Sequence, residues 1–374
     1  MHKPAWFCYI GIIRSHLADK LSLFHIINDE VKVEMFERVR DLLSRDMAMD
    51  LGTANTLVYV RGKGVVLDEP SMVCTDRDTK KIIAVGREAK NLAGRHAKNM
   101  VISRPLRNGV IQDFDTATFM IRSFLGKVFR RLPLSRPKLV VAVPAGITSV
   151  EKRAVMEAAV VAGAGKIHLI EEPMAAAIGT GLPIEETKGQ MVVDIGGGTT
   201  EVAIISKFSV ACSESLRVGG DEADEAICQY VRREHGIGIS EMMAEVIKIK
   251  IGSAVPMNKT LEVKLRGKDL STGMPKVVTL TDPAIREAIK EPTMAIVEAV
   301  RRVLEKATPD LSSDISEDGI WLAGGGALLK GLRLLLHQTT GLDVKKSEDP
   351  LRAVIRGAGA ATEHFDHYRD VFVN

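Results

Sequence analysis

The sequence predicts an α/β fold built from two similar lobes. Three observations carry this. A strand–turn–strand pattern at residues 47–60 recurs at 191–205, aligning Asp50 with Asp194, Gly52 with Gly196, Thr56 with Thr200 and Val58 with Val202. Short apolar runs alternate with helical periods along the chain. The length, 374 residues, is enough for two to three domains or one large two-lobed molecule.

The elements follow in order. Residues 1–34 show no clear period, and their four basic and four acidic side chains cancel. Met35, Phe36, Val39, Leu42 and Leu43 then fall on one face of a helix over 35–46, with Glu37, Arg38, Arg40, Asp41 and Arg45 opposite. Such a helix suits either packing on its own domain or an interfacial membrane position. A strand at 47–49, a turn at 50–55, a strand at 56–60, a turn at 61–64 and a strand at 65–67 make a β-meander. A strand is expected at 82–85, and helices at 87–97 and 116–130. Residues 139–143, flanked by Pro137 and Pro144, read as a buried strand. Ser149 opens a helix running to about 163, with Glu151 in its first turn. A strand at 167–170 leads into a helix at 173–178. In the second half, strands are expected at 191–193, 201–205 and 320–322, and a helix at 328–336.

Composition narrows the function. Lys plus Arg is 51 and Asp plus Glu is 48, a formal charge of +3, which argues against nucleic acid as the main partner. Aromatics at 4% leave few stacking platforms for single strands. Four scattered cysteines give neither a disulfide framework nor a zinc signature, and a reducing cytoplasm is the simplest compartment. No run approaches the roughly 20 apolar residues of a spanning helix.

The chemistry concentrates in three glycine turns. Asp50-Leu-Gly-Thr-Ala-Asn and Asp194-Ile-Gly-Gly-Gly-Thr each place backbone N–H groups free of Cβ crowding, as a phosphate cradle requires. A carboxylate cannot bind phosphate directly, but it can hold Mg²⁺ or its waters, which bridge to phosphate oxygens. Each turn alone could be a plain hairpin; the recurrence makes that reading poor. The third turn, Gly324-Gly-Gly-Ala327, precedes a helix and suits anion or adenosine contact. Glu171-Glu172-Pro173 follows an apolar strand. A carboxylate there could orient an attacking water or simply supply helix N-terminal charge.

Together these segments closely resemble the bacterial actin family of MreB and Mbl. The resemblance runs from about Met35 to the C-terminus. It rests on Asp50-Leu-Gly-Thr-Ala-Asn-Thr, Ile170-Glu-Glu-Pro-Met-Ala-Ala-Ala-Ile-Gly and Val193-Asp-Ile-Gly-Gly-Gly-Thr-Thr-Glu-Val. It also rests on Arg217-Val-Gly-Gly-Asp-Glu, Ala244-Glu-Val-Ile-Lys and Leu322-Ala-Gly-Gly-Gly-Ala-Leu-Leu. The resemblance implies an actin-like ATPase fold with two RNase H-like lobes, each carrying a smaller inserted subdomain. Lobe I would span 47–182 and 358–374 with its insertion at about 74–115. Lobe II would span 183–357 with its insertion at about 222–291. It implies an ATP-dependent filament that keeps rod-shaped cells rod-shaped by organising cell-wall synthesis, with weak ATPase activity coupled to polymerisation.

Carried over by residue, Thr53, Ala54 and Asn55 would line the first phosphate loop and Gly196, Gly197 and Gly198 the second. Asp50 and Asp194 would hold hydrated Mg²⁺. Glu172 would activate water, assisted by Glu171. Glu245 and Lys248 would contact the ribose and adenine side. Gly324, Gly325, Gly326, Ala327 and Leu328 would close over ATP. Val246 and Lys250 depart from the family pattern and would reverse local charge near the pocket. The implied partners are further copies of the chain in paired head-to-tail protofilaments, anionic lipid, and membrane proteins of cell-wall elongation, on the inner face of the cytoplasmic membrane. Lipid contact would fall to the helix at 35–46 and to a loop with Phe129, Leu132 and Leu134. By the same resemblance the helix from Ser149 to Val160, with Val150 near its start, would pair protofilaments. Residues 1–34 are expected to be an upstream start or a disordered extension. The alternative is a phosphotransferase of the same superfamily, or a nucleotide-binding scaffold without a filament role.

Overall fold

The computed structural model describes residues 46–94, 99–128 and 137–373. The two lipid-contact segments, with Met35, Phe36, Val39, Leu42, Leu43, Phe129, Leu132 and Leu134, lie outside the described residues, as does 1–34.

The chain opens with the expected meander, β1 (Met47–Leu51), β2 (Asn55–Val60) and β3 (Gly64–Pro70). A small insertion follows: β4 (Val73–Asp76), β5 (Ile82–Val85), α1 (Arg87–Leu92), β6 (Met100–Ser103), β7 (Leu106–Arg107) and β8 (Val110–Ile111). Then come α2 (Phe114–Val128), β9 (Leu139–Val143), α3 (Ser149–Ala162), β10 (Ile167–Glu171) and α4 (Glu172–Thr180). The second half repeats the plan with β11 (Gln190–Ile195), β12 (Thr200–Ser206) and β13 (Ser209–Leu216). Its insertion is larger: α5 (Gly220–His235), β14 (Ile237–Gly238), α6 (Glu241–Ile251), β15 (Glu262–Asp269), β16 (Pro275–Thr281) and α7 (Asp282–Ala288). The chain then forms α8 (Lys290–Lys306), α9 (Pro309–Asp318), β17 (Ile320–Ala323), α10 (Leu332–Thr340), β18 (Val344–Lys346) and α11 (Ala353–Glu363).

The two main sheets are copies of one design. Their orders are β10-β9-β1-β2-β3 and β13-β12-β11-β17-β18. In each, an antiparallel meander lies on one side of the first strand and two parallel strands on the other. Period-2 alternation gives each sheet two buried faces. Ala48, Val140, Ala142 and Val192 face a central core shared by both lobes. Met47, Met49, Leu139 and Val141 face the outer core of the first lobe, and Met191, Val193 and Ile195 that of the second.

Between the sheets, α4 crosses α11 at very short range. A Cβ at Gly179 would overlap the Ala353 carbonyl, and one at Gly357 would overlap the Ala175 carbonyl. Glycine therefore sets the helix separation here, and with it the distance between the lobes. Helix α11 is continuous through 357/358, where the sequence reading placed a lobe boundary.

The helix expected at 173–178 runs from Glu172 to Thr180, and three others also differ in extent. The one at 87–97 stops at Leu92, because Ala93 is extended and Gly94 takes a positive φ of 74°. The one at 116–130 begins two residues early, at Phe114. The one at 328–336 is a 3-10 turn at Gly325–Leu328 followed by α10, which starts only at Leu332. Lys330 interrupts it by donating to the carbonyls of Ile249 and Lys250, and Gly331 sits in the left-handed region against Val255.

Candidate functional site

A cleft of roughly 390 Å³ runs between the lobes, at the C-terminal ends of β1 and β11. Sheet geometry explains what lines it. Asp50 lies two residues beyond Ala48, and Asp194 two beyond Val192, so both carboxyls emerge on the sides of the sheets that face each other. The glycine turns then follow. They meet closely: a Cβ on Gly197 would come within 2.8 Å of the Ala54 Cβ, and one on Gly198 within 3.0 Å of Thr53 Oγ1. The tip of the β7–β8 hairpin joins them, Gly109 N donating to Thr53 Oγ1 at 3.0 Å. At the third turn Gly324 has a φ of 75°, and a Cβ there would stand 2.6 Å from Asp194 Oδ1. That turn therefore lies directly on the end of β11.

Of the residues named from sequence, Asp50, Thr53, Ala54, Asn55, Glu172, Asp194, Gly196, Gly197 and Gly198 line this one cleft, as do Glu245, Lys248, Gly324, Gly325, Gly326 and Leu328. Two do not. Ala327 is buried in the core of the second lobe. Glu171 ends β10, paired with Val143, and is the N-cap of α4. Val246 and Lys250 do not line the cleft either; the helical turn of α6 presents Glu245, Lys248 and Ile249 instead. The charge reversal expected there falls outside the pocket wall. Lys248 lines the cleft with its ammonium engaged, 2.9 Å from Asp224 and donating to the Gly220 carbonyl at 2.6 Å. It thereby anchors the start of α5.

The site is rich in buried acid. Burial, then the charge of Asp68, pushes the Asp50 carboxyl up to about 7. Burial and the nearby Asp50 push Asp194 up to about 7. Glu172 opens α4, followed by Pro173, and is buried. Its carboxyl lies well above the usual range through burial and the charges of Glu201, Asp50 and Asp194. Its carboxyl is thus both at the start of a helix and on the cleft wall.

Glu201 was not singled out from sequence. It stands opposite Asp194 on β12, where the first lobe has Leu57 opposite Asp50. It is buried and pushed up to about 8, chiefly by burial, while Ser215 donates to its Oε1 at 2.7 Å. A carboxylate at the repeat position of a buried leucine was a legible signal. Thr199, also buried, adds a hydroxyl to the cleft wall.

The acid pair fits a hard cation. Asp194 Oδ1 is buried with no hydrogen-bond partner among the described residues. Two carboxyls near 7 would ionise if a divalent charge stood beside them. Among the described residues no group of three or more His, Cys, Asp or Glu is placed to hold a metal. A cation here would draw its remaining ligands from water and phosphate, the habit of Mg²⁺.

Comparison with known proteins follows the same lines. The sequence model of the MreB/Mbl protein family matches residues 44–370. The cell shape-determining protein MreB of Escherichia coli (strain K12) is 49% identical over 344 residues, covering 90% of this chain and 99% of that protein. The cell shape-determining protein Mbl of Bacillus subtilis (strain 168) is 42% identical over 325 residues, covering 87% and 98%. Among solved structures, MreB5 of Spiroplasma citri bound to ADP superposes with a TM-score of 0.82 at 32% identity, over 86% of this chain and 98% of that one. A MamK double helical filament shares the fold, with a TM-score of 0.73 at 20% identity, over 85% of this chain and 99% of that one.

Proposed function

The chain belongs to the MreB/Mbl family of bacterial actins, and from that premise we propose that it is a nucleotide-driven filament protein that maintains rod cell shape. The observation that carries this reading is the cleft. Two Asp-x-Gly turns, one from each lobe, face each other with the Glu172 carboxyl between the lobes. In this reading backbone N–H groups of Gly196, Gly197 and Gly198 grip the terminal phosphates of ATP from one lobe. Thr53, Ala54 and Asn55 do so from the other. Asp50 and Asp194 would hold Mg²⁺, largely through water; when bound it neutralises phosphate charge. Glu172 orients water toward the γ-phosphate and accepts its proton, a role suited to a carboxyl whose affinity for protons is raised by burial. Relatives crystallised with ADP and AMPPNP support nucleotide as the ligand.

Closing the lobes on ATP would favour head-to-tail addition, a heterologous contact that generates open filaments. Hydrolysis would then loosen the polymer. Membrane docking is part of the proposal: the apolar face of 35–46, with the 129–134 loop, would place filaments on anionic lipid at the inner face of the cytoplasmic membrane. There they would organise the membrane proteins of cell-wall elongation. No helix among the described residues is long and apolar enough to cross a membrane.

The test is phosphate release and pelleting with ATP, with no acceptor added. Wild-type chain should release phosphate and pellet in an ATP-dependent manner. Glu172→Ala should still bind ATP but lose roughly 100-fold in turnover, the scale of general-base removal. Wild-type turnover in that variant would refute the assignment. Phosphate release only with an added acceptor would favour a phosphotransferase. Co-sedimentation with anionic liposomes of a Phe36, Leu42 and Leu43 triple-alanine variant tests the lipid contact, and undiminished binding would remove it.

A further inference from the structure

The second glycine turn is tied to the opposite lobe by a charge pair that neither lobe could make alone. Asp221 lies in the first turn of α5, on the cleft wall beside that turn. Its backbone N–H donates to the Gly197 carbonyl at 2.7 Å, and Gly220 N–H donates to Gly196 at 3.1 Å. Any movement of the turn therefore moves Asp221. Facing it is Arg104, in the connection between β6 and β7, whose guanidinium lies 2.7 Å from the Asp221 carboxylate. Both side chains are only 28% exposed. A second link, Lys90 on α1 to Glu245 on α6, spans the same gap at 3.6 Å but is more exposed, at 41% and 39%. Screening by solvent and salt makes that outer pair the weaker one.

Arg104 is also coupled to the first turn. Beyond Pro105 the chain enters the β7–β8 hairpin, whose tip residue Gly109 donates to Thr53 Oγ1. The insertion of the first lobe thus reaches both phosphate turns, through Gly109 on one and through Arg104 and Asp221 on the other.

We propose that Arg104 is a positioning residue that, through Asp221, holds the second glycine turn in its closed place and sets how slowly nucleotide leaves the cleft. This rests on reading the cleft as a nucleotide site. Arg104 touches neither the turn nor the phosphates in this account. It acts by keeping Asp221, and the turn hydrogen-bonded to it, against the first lobe. Lys90 and Glu245 add a weaker outer clasp.

Release of a fluorescent ATP analogue from the full chain, followed by stopped flow, tests this. Arg104→Ala should release nucleotide about tenfold faster, the size expected for one charge-assisted hydrogen bond. Arg104→Lys should recover part of the loss. The charge exchange Arg104→Asp with Asp221→Arg should restore slow release, whereas either change alone should not. High salt should narrow the gap between wild type and Arg104→Ala. Thermal melting of each variant separates release from unfolding. Unchanged release in folded Arg104→Ala, or no recovery in the exchanged pair, overturns the inference alone. Absence of nucleotide binding in the unaltered chain overturns the site reading itself, and the inference with it.

Discussion

At the residue scale the cleft stores unfavourable charge. Carboxyls titrate near 3.9 in an unfolded chain, whereas Asp50 and Asp194 titrate near 7 in the fold. Between those values the native chain holds more protons than the unfolded one, so nucleotide-free stability falls as pH rises from about 4 to about 7. Below both values the penalty is absent. Asp194→Asn should therefore raise the melting temperature of the nucleotide-free protein at pH 8 and leave it little changed at pH 4. A melting series with chelator present checks this; equal shifts at both pH values would contradict it. For the same reason Mg²⁺ should bind more tightly at pH 8 than at pH 6, since it competes with those protons. These two aspartates were legible in the sequence because a repeat marked them twice. Glu201 stood in the same repeat, but only comparison with Leu57 across the two strand pairs exposes it. Arg104 and Lys90 carried no local signal. Their partners lie more than a hundred residues away in another lobe, and no spacing rule reaches that far.

At the element scale the α4–α11 crossing is the most tightly constrained part of the fold. Ala175, Ala176 and Ala177 on α4, and Ala358 and Ala361 on α11, are all buried in the shared core. Their small side chains permit the approach that Gly179 and Gly357 complete. Gly179→Ala would drive a methyl into backbone that belongs to another helix and cannot rotate away. A cost of about 3 kcal/mol or more is expected, at or above the usual range for overpacking. Gly126→Ala on α2 is the control: nothing lies within 4 Å of its added Cβ, and its φ is not positive. It should be neutral or gain about 0.5–1 kcal/mol from helix propensity. Chemical denaturation of both variants decides it, and comparable stabilities would mean that the crossing is slack. Sequence reading located nine of the eighteen described strands, most of them within a residue or two, because period and flanking turns are local; β4, β6, β7, β8, β13, β14, β15, β16 and β18 were not read. It misplaced the helix after the third glycine turn because Lys330 reaches across to α6, a contact that apolar spacing does not encode.

At the scale of the whole molecule, the duplicated sheet was legible in the sequence. A repeat of strand–turn–strand announces two lobes, and α11, near the end of the chain, returns to pack on β1, β2, β3 and β9 of the first. What the molecule does with its outer surface is a separate question from what it does in the cleft. Helix α3 presents Val150 at 75% exposure, Val161 at 50% and Val160 at 47%. Val150 and Val161 are eleven residues apart, close to three full turns, so they share one face. That face lies on the first lobe, and none of its three valines lines the cleft. If paired protofilaments meet there, a charge on it should separate the pair without touching the longitudinal contact or the chemistry. Val150→Asp should convert double filaments to single ones in electron micrographs of protein with ATP. Phosphate release per subunit should stay within about twofold of wild type, since a surface substitution away from buried features shifts stability by only about 0.5 kcal/mol. Double filaments in that variant would move the pairing contact elsewhere. Loss of all filaments would instead show that α3 takes part in head-to-tail assembly, and the lateral and longitudinal contacts would then have to be reassigned together.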